Sequence, residues 1–233
     1  MSQSIQIDLF TEFNIKLETP KRTNQKEYKP QFYAFKKYRK RIETLFSQLC
    51  DQFMIRRNYA KTFQGFAMTT ILLNIHNAGF FPVNSMIMGM GVFFGGGAQF
   101  IAGVMEWKKG NNFGGIAFMS YGAFWLTLVF AWLAPGVLGA EKPDGNAMGC
   151  YLGIWGIFTL VNFLQTLKGH TVGKLLFGTL TLLFFLLAAG NFTGNENILH
   201  IAGWVGIVCG SLAFYEASTI MINTTYQKNI LPL

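Results

Sequence analysis

Charge is scarce over most of this 233-residue chain. Beyond residue 65 there are six Lys/Arg and five Asp/Glu, a net charge of +1. A nucleic-acid binder needs a basic folded surface, so that class of partner is excluded. Cysteine is equally short: Cys50, Cys150 and Cys209 have no metal-ligand spacing and make no even disulfide framework, so three free thiols and no metal are expected. The chain contains no zinc-type HExxH, no nucleophile elbow and no phosphate-cradling loop. An enzyme reading therefore has no residues to rest on, and no cofactor is expected. The first 20 residues hold no apolar core such as a cleavable secretory signal needs, and Asp8, Glu12 and Glu18 argue against an acid-poor mitochondrial presequence.

What the chain has in quantity is apolar sequence: 51% of it is hydrophobic, with 24 Phe. About 20 largely apolar residues cross a bilayer as helix. Six such segments lie near residues 64–81, 84–106, 113–134, 146–167, 171–190 and 198–222, separated by FPVN, EWKKGNN, PGVLGAEKPDGN, TLKGH and TGNEN. The runs are too long for transmembrane strands and lack period-two patterning. The expected fold is an all-α integral membrane protein, with a six-helix domain over 64–233 and a basic arm over 1–63. The lysines orient it: the arm, Lys108, Lys109, Lys168, Lys174 and Lys228 share one side, and Lys142 stands alone on the other. Both termini are thus expected on the positive side, cytoplasmic or matrix. The plasma membrane and the mitochondrial inner membrane both stay open.

The arm carries most of the charge: residues 1–65 hold thirteen of the nineteen Lys/Arg and six of the eleven Asp/Glu. Residues 35–57 suit an amphipathic helix, with Ile42, Leu45, Phe46, Leu49 and Phe53 on one face and Lys36, Lys37, Arg39, Lys40 and Arg41 opposite. Such a helix lies on an anionic bilayer surface or docks on a partner protein.

Polar residues inside the spans fall on faces. Phe66, Thr70, Asn74 and Asn77 lie within about a quarter-turn at 100° per residue. Gln99 and Glu106 align with Gly103 between them, Ser120 and Tyr121 sit in the third span, and Thr159, Asn162 and Thr166 form a stripe in the fourth. Uncharged donors and acceptors on several helices suit a wet path between them; interhelical hydrogen bonding is the alternative. Glu106, His76 and His200 are candidates for a proton or charge role, or else ordinary interfacial groups, and Glu216 stands well inside the sixth span. Gly91/Gly95, Gly149/Gly153 and Gly206/Gly210 have the four-residue spacing that lets helix backbones approach closely in lipid. The strings KKGNNFG and AAGNFTGN hint at internal similarity.

GFAMTTILLNIHNAG, MGVFFGGGAQFIAGVMEWKKGNNFG, AFMSYGAFWLTL, YLGIWGIFTLVNFLQTLKG and HIAGWVGIVCG together resemble the acetate uptake transporter family, which includes the bacterial succinate–acetate permeases. The resemblance runs over residues 64–233 and leaves out the arm. It implies a six-helix protomer with its own pore, a ring of six protomers in the bilayer, and proton-coupled uptake of acetate and related small carboxylates. It also implies a constriction at Phe66, Tyr121 and Leu180, with Thr69, Asn74 and Gln99 as polar pore residues.

The chain departs from the family at one place. Where the family has Asn-Pro-Ala-Pro-Leu-Gly before the first span, this sequence reads Arg57, Asn58, Tyr59, Ala60, Lys61, Thr62. Prolines fix the backbone and remove N–H donors, so their loss lets helix run from the arm straight into the span and sets Lys61 near the mouth. Two functions follow. One is a carboxylate transporter or channel; the other is a retained fold without transport, an accessory subunit that docks to a hetero-complex, mitochondrial for instance, through its arm.

Overall fold

The computed structural model describes residues 59–233, with side chains from residue 64 onward. The arm, its expected helix at 35–57 and Cys50 lie outside the described residues. Within them the chain is helical throughout, with no strand. The elements are α1 (Tyr59–Asn77), α2 (Ser85–Met90), a π-helical segment π1 (Gly91–Ala98), α3 (Gln99–Lys108), α4 (Asn112–Leu138), α5 (Gly145–Thr166), α6 (Thr171–Thr193) and α7 (Glu196–Tyr226). Helix α2, π1 and α3 join into one rod, Ser85–Lys108, which with α4, α5, α6 and α7 makes five helices long and apolar enough to cross a membrane. Helix α1 is the sixth rod; its 19 residues reach about 28 Å, but its Thr and Asn residues make it less apolar.

Polar side chains start the helices. Asn84 accepts from the Met86 and Ile87 amides, Asn111 from Gly114, Asp144 from Ala147 and Asn195 from Asn197, each filling a donor that a helix N-terminus leaves free. His170 does the same for α6 with its ring Nδ1, 3.1 Å from the Gly173 nitrogen. The two similar strings of the sequence form similar corners: Gly110 (φ 81°) precedes the cap Asn111, and Gly194 (φ 64°) precedes the cap Asn195.

Boundaries differ from expectation where local chemistry intervenes. Helix is present from Tyr59, as the loss of the prolines predicts. It stops at Asn77 rather than 81, because Gly79 turns the chain at φ 92° and a short contact of 2.6 Å joins the His76 Nδ1 to the Phe81 carbonyl. Helix α4 passes through Pro135 and ends only at Gly139, whose φ of 66° stops it. Helix α7 reaches Tyr226, and its Asn223 receives the Ile230 and Leu231 amides, tying the C-terminal tail back onto it.

Glycine decides which helices touch closely. A Cβ on Gly206 or Gly203 would collide with Asn74 or the Asn77–Ala78 backbone, and one on Gly210 would lie 2.6 Å from Ile71, so α1 and α7 are pressed together. On the opposite flank, a Cβ on Gly95 would lie 2.7 Å from Trp125 and one on Gly91 2.7 Å from Val129, which seats π1 on α4. Gly149 meets Phe192, whereas nothing lies within 4 Å of a Cβ on Gly153. Helices α5 and α6 pack together, as do α6 and α7. The Tyr121, Phe124, Tyr151 and Trp155 rings join α4 to α5. Bulky side chains thus hold α1, α4 and α6 apart in the middle, and space remains between them.

Candidate functional site

That space forms two cavities. The larger, about 210 Å³, is lined by Phe66, Gln99, Asn111, Phe113, Tyr121, His170, Phe177, Leu180, Glu216 and Ile220 among others. The smaller, about 40 Å³, is lined by Phe66, Thr70, Leu73, Asn74, Asn77, Tyr121, Phe124, Trp125, Leu180, Leu183, Phe184 and Leu187. One water needs about 10–15 Å³ of such volume, so the larger cavity has room for a small organic anion and the smaller for little more than water. Three residues, Phe66, Tyr121 and Leu180, line both, and they are 7%, 4% and 7% exposed. One side chain comes from each of α1, α4 and α6, so the two cavities share an apolar and aromatic wall.

Tyr121 is the best anchored of the three. Its hydroxyl donates to Thr159 Oγ1 at 3.0 Å, and Thr159 in turn donates to the Trp155 carbonyl at 2.7 Å. Its ring stands edge-on to Phe158 at 5.6 Å and near Trp155 and Phe177. Aromatic pairs in this range add about 0.5–1.5 kcal/mol beyond area burial. The Thr159/Asn162 stripe, expected along a wet path, instead supports this tyrosine and its own helix: Asn162 donates to the Phe158 carbonyl. Neither residue lines either cavity.

The other expected site residues divide. Thr70, Asn74 and Asn77 line the smaller cavity, with Asn74 donating to the Thr70 carbonyl and accepting from Asn77. Gln99 lines the larger one. Thr69 stands one residue off that face: it is 1% exposed and donates to the Gly65 carbonyl at 2.8 Å, with the Met90 carbonyl 3.5 Å away. Ser120 is half-buried outside both cavities. Glu106 is buried at the end of α3, where Lys109 Nζ (2.9 Å) and Asn111 Nδ2 (2.6 Å) hold its two oxygens. His76 contacts the Phe81 carbonyl, and His200 packs against Gly79 at the same corner. None of these three lines a cavity.

Residues outside the expected site complete the larger cavity. His170 Nε2 lies 3.2 Å from Glu216 Oε1, and both line it with Asn111. Glu216 was visible in the sequence as a carboxylate well inside a span; His170 looked like a loop residue, and nothing short of the fold pairs them. The loop residues Asn111 and His170 meet Glu216 of α7 here, so the lysine-bearing ends share the side of the larger cavity. Thr70 Oγ1, Gln99 Oε1 and Glu216 Oε2 are buried without a hydrogen-bond partner among the described residues, and all three residues line one cavity or the other. Buried polar atoms in that state call for a partner. Cys150 and Cys209 are free thiols, as expected.

Residues 59–232 match the model of the GPR1/FUN34/yaaH family, and residues 5–75 match that of the transposase DDE domain. The chain is 50% identical over 169 residues to the succinate-acetate/proton symporter SatP of Escherichia coli, which spans 72% of this chain and 90% of that one. It is 36% identical over 162 residues to ammonia transport outward protein 2 of Saccharomyces cerevisiae, across 66% of this chain and 57% of the yeast protein. A solved structure of the bacterial acetate channel SatP superposes with a TM-score of 0.74 at 48% identity, covering 75% of this chain and 97% of that one.

Proposed function

Because the chain belongs to the GPR1/FUN34/yaaH family, we propose that it moves acetate and related small carboxylates, succinate among them, across a lipid bilayer. The observation that carries the reading is the pair of cavities meeting at Phe66, Tyr121 and Leu180. In this reading those three side chains are the constriction. Their ring is apolar enough to pass a short aliphatic tail and to refuse a hydrated cation. Gln99 on one side, and Thr70, Asn74 and Asn77 on the other, replace water around the carboxylate head without the permanent charge of an Arg clamp. Binding weak enough to release is a condition of conduction.

The protein acts as a carrier and not as an enzyme, with no metal or cofactor. Both termini and the larger cavity face the lysine-rich, cytoplasmic or matrix side. Exposed Phe93, Ile101, Phe130 and Ile154 need cover from lipid or from neighbouring protomers, which suits a ring of six. Helix at Tyr59 replaces the family's proline entry, yet both cavities persist beside it, so transport is preferred to the accessory-subunit reading.

Labelled acetate uptake into vesicles containing the purified protein tests this. Tyr121→Trp should fill the shared wall and lower uptake at least about tenfold, an added barrier of about 1.4 kcal/mol. Equal uptake by parent, variant and empty vesicles would overturn the proposal.

A further inference from the structure

A carboxylate in the wall of a carboxylate path is an electrostatic obstacle, and Glu216 is one. Its side chain is 13% exposed, its Oε1 faces His170 Nε2 at 3.2 Å, and its Oε2 is buried without a partner among the described residues. The partner histidine is held in one form. Its Nδ1 accepts from the Gly173 amide that opens α6, so that nitrogen carries no proton and the ring proton sits on Nε2, pointing at Glu216. His170 is thus placed to donate to Oε1, which leaves Oε2 of Glu216 as the unpartnered oxygen facing the cavity.

Among the described residues, nothing else lining the cavity competes for that role. Helix α7 packs on α1 and α6; from α6 the facing titratable group is His170, from α4 it is Tyr121, and the α3–α4 loop contributes the uncharged Asn111. Glu106 is engaged by Lys109 and Asn111, and Lys174 does not line the cavity. From α1, the described lining residue is Phe66.

We infer that Glu216 is the proton-binding residue of the pathway: protonated at Oε2, it donates a hydrogen bond to a substrate carboxylate in the larger cavity, while His170 holds Oε1. The inference rests on the carboxylate-transport reading above. The balance is simple. One proton and one carboxylate anion occupy the cavity together, no bond other than O–H is made or broken, and both leave together. Ionised, Glu216 repels the anion, so proton and anion binding favour each other by one common factor, typically about 5–150-fold for coupled sites.

Two measurements test it, one without transport. Adding acetate to the solubilised protein in weak buffer, read with a pH dye, should draw protons from solution in the parent and in Glu216→Asp but not in Glu216→Gln. In vesicles, Glu216→Gln should lose accumulation of labelled acetate driven by a proton gradient, and Glu216→Asp should restore part of it. His170→Asn keeps a good helix cap and removes the donor to Oε1, which favours the ionised acid, so its transport profile should move to higher pH by about one unit for each tenfold of lost interaction. Acetate-linked proton uptake or gradient-driven accumulation that survives unchanged in Glu216→Gln overturns the inference, and an unmoved profile in His170→Asn removes the histidine from it. A parent that draws protons on acetate addition yet moves no acetate contradicts the transport reading and leaves the proton site standing.

Discussion

The two cavities share a wall and little else. On the lysine-rich side the space is five times the volume, about 210 against 40 Å³, and it carries Gln99, Asn111, His170 and Glu216. On the other side the polar groups are Thr70, Asn74 and Asn77, all on α1, and the remaining lining is leucine and aromatic rings. Apart from the shared Tyr121, no titratable side chain lines the smaller cavity. On the proposed reading, passage and proton binding are thereby separable: the narrow side sorts by size and offers uncharged hydrogen bonds, and the wide side also binds the proton.

The strongest way to break the comparison is to open the wall. Leu180→Ala removes a side chain 7% exposed, which costs about 2–5 kcal/mol of stability and merges the two spaces. Succinate uptake relative to acetate should rise about tenfold, the lower end of what apolar pocket contacts discriminate. Dual-label uptake and thermal unfolding measure the two effects, and an unchanged ratio would remove Leu180 from the constriction.

Asn74→Leu sharpens the contrast. Asn74 donates to the Thr70 carbonyl at 2.9 Å and accepts from Asn77 at 3.0 Å, so the change leaves the Asn77 amide unpartnered, at about 1–3 kcal/mol. Acetate uptake should fall several-fold with its pH profile intact, since the altered side does not titrate. A displaced profile would show that the two sides are not independent.

Lys109→Met should do least. Its amine is half-exposed and bound to Glu106 at 2.9 Å, a pair worth about 0–1 kcal/mol, and Asn111 still holds the other carboxylate oxygen. Uptake should stay within about twofold, as for surface changes of about 0.5 kcal/mol. A larger loss would make the Glu106 cluster part of the path.

Legibility in the sequence followed the range of the interactions. The face of α1 was plain because Phe66, Thr70, Asn74 and Asn77 repeat at helical spacing, and all four reach the smaller cavity. Phe66, Tyr121 and Leu180 came from resemblance, not periodicity, and the fold sets them together. Thr69 lines neither cavity, because one residue turns a helix by about 100° and its hydroxyl donates to the Gly65 carbonyl instead. The π-helical segment had no forewarning beyond its glycines, whose fit against Val129 and Trp125 is a matter of contact with α4.

The sequence alone was enough for the helical membrane class, the glycine seams of α1–α7 and π1–α4, and the polar face of α1. These depend on hydropathy, charge and helical period, quantities that each segment carries alone. Only the tertiary structure decided that Phe66, Tyr121 and Leu180 divide two cavities, that Thr159 steadies Tyr121, and that His170 meets Glu216 across 46 residues of chain. Those pairings arise because glycine draws some helices together while aromatic bulk holds others apart. Which side chains face the space left over depends on every helix at once.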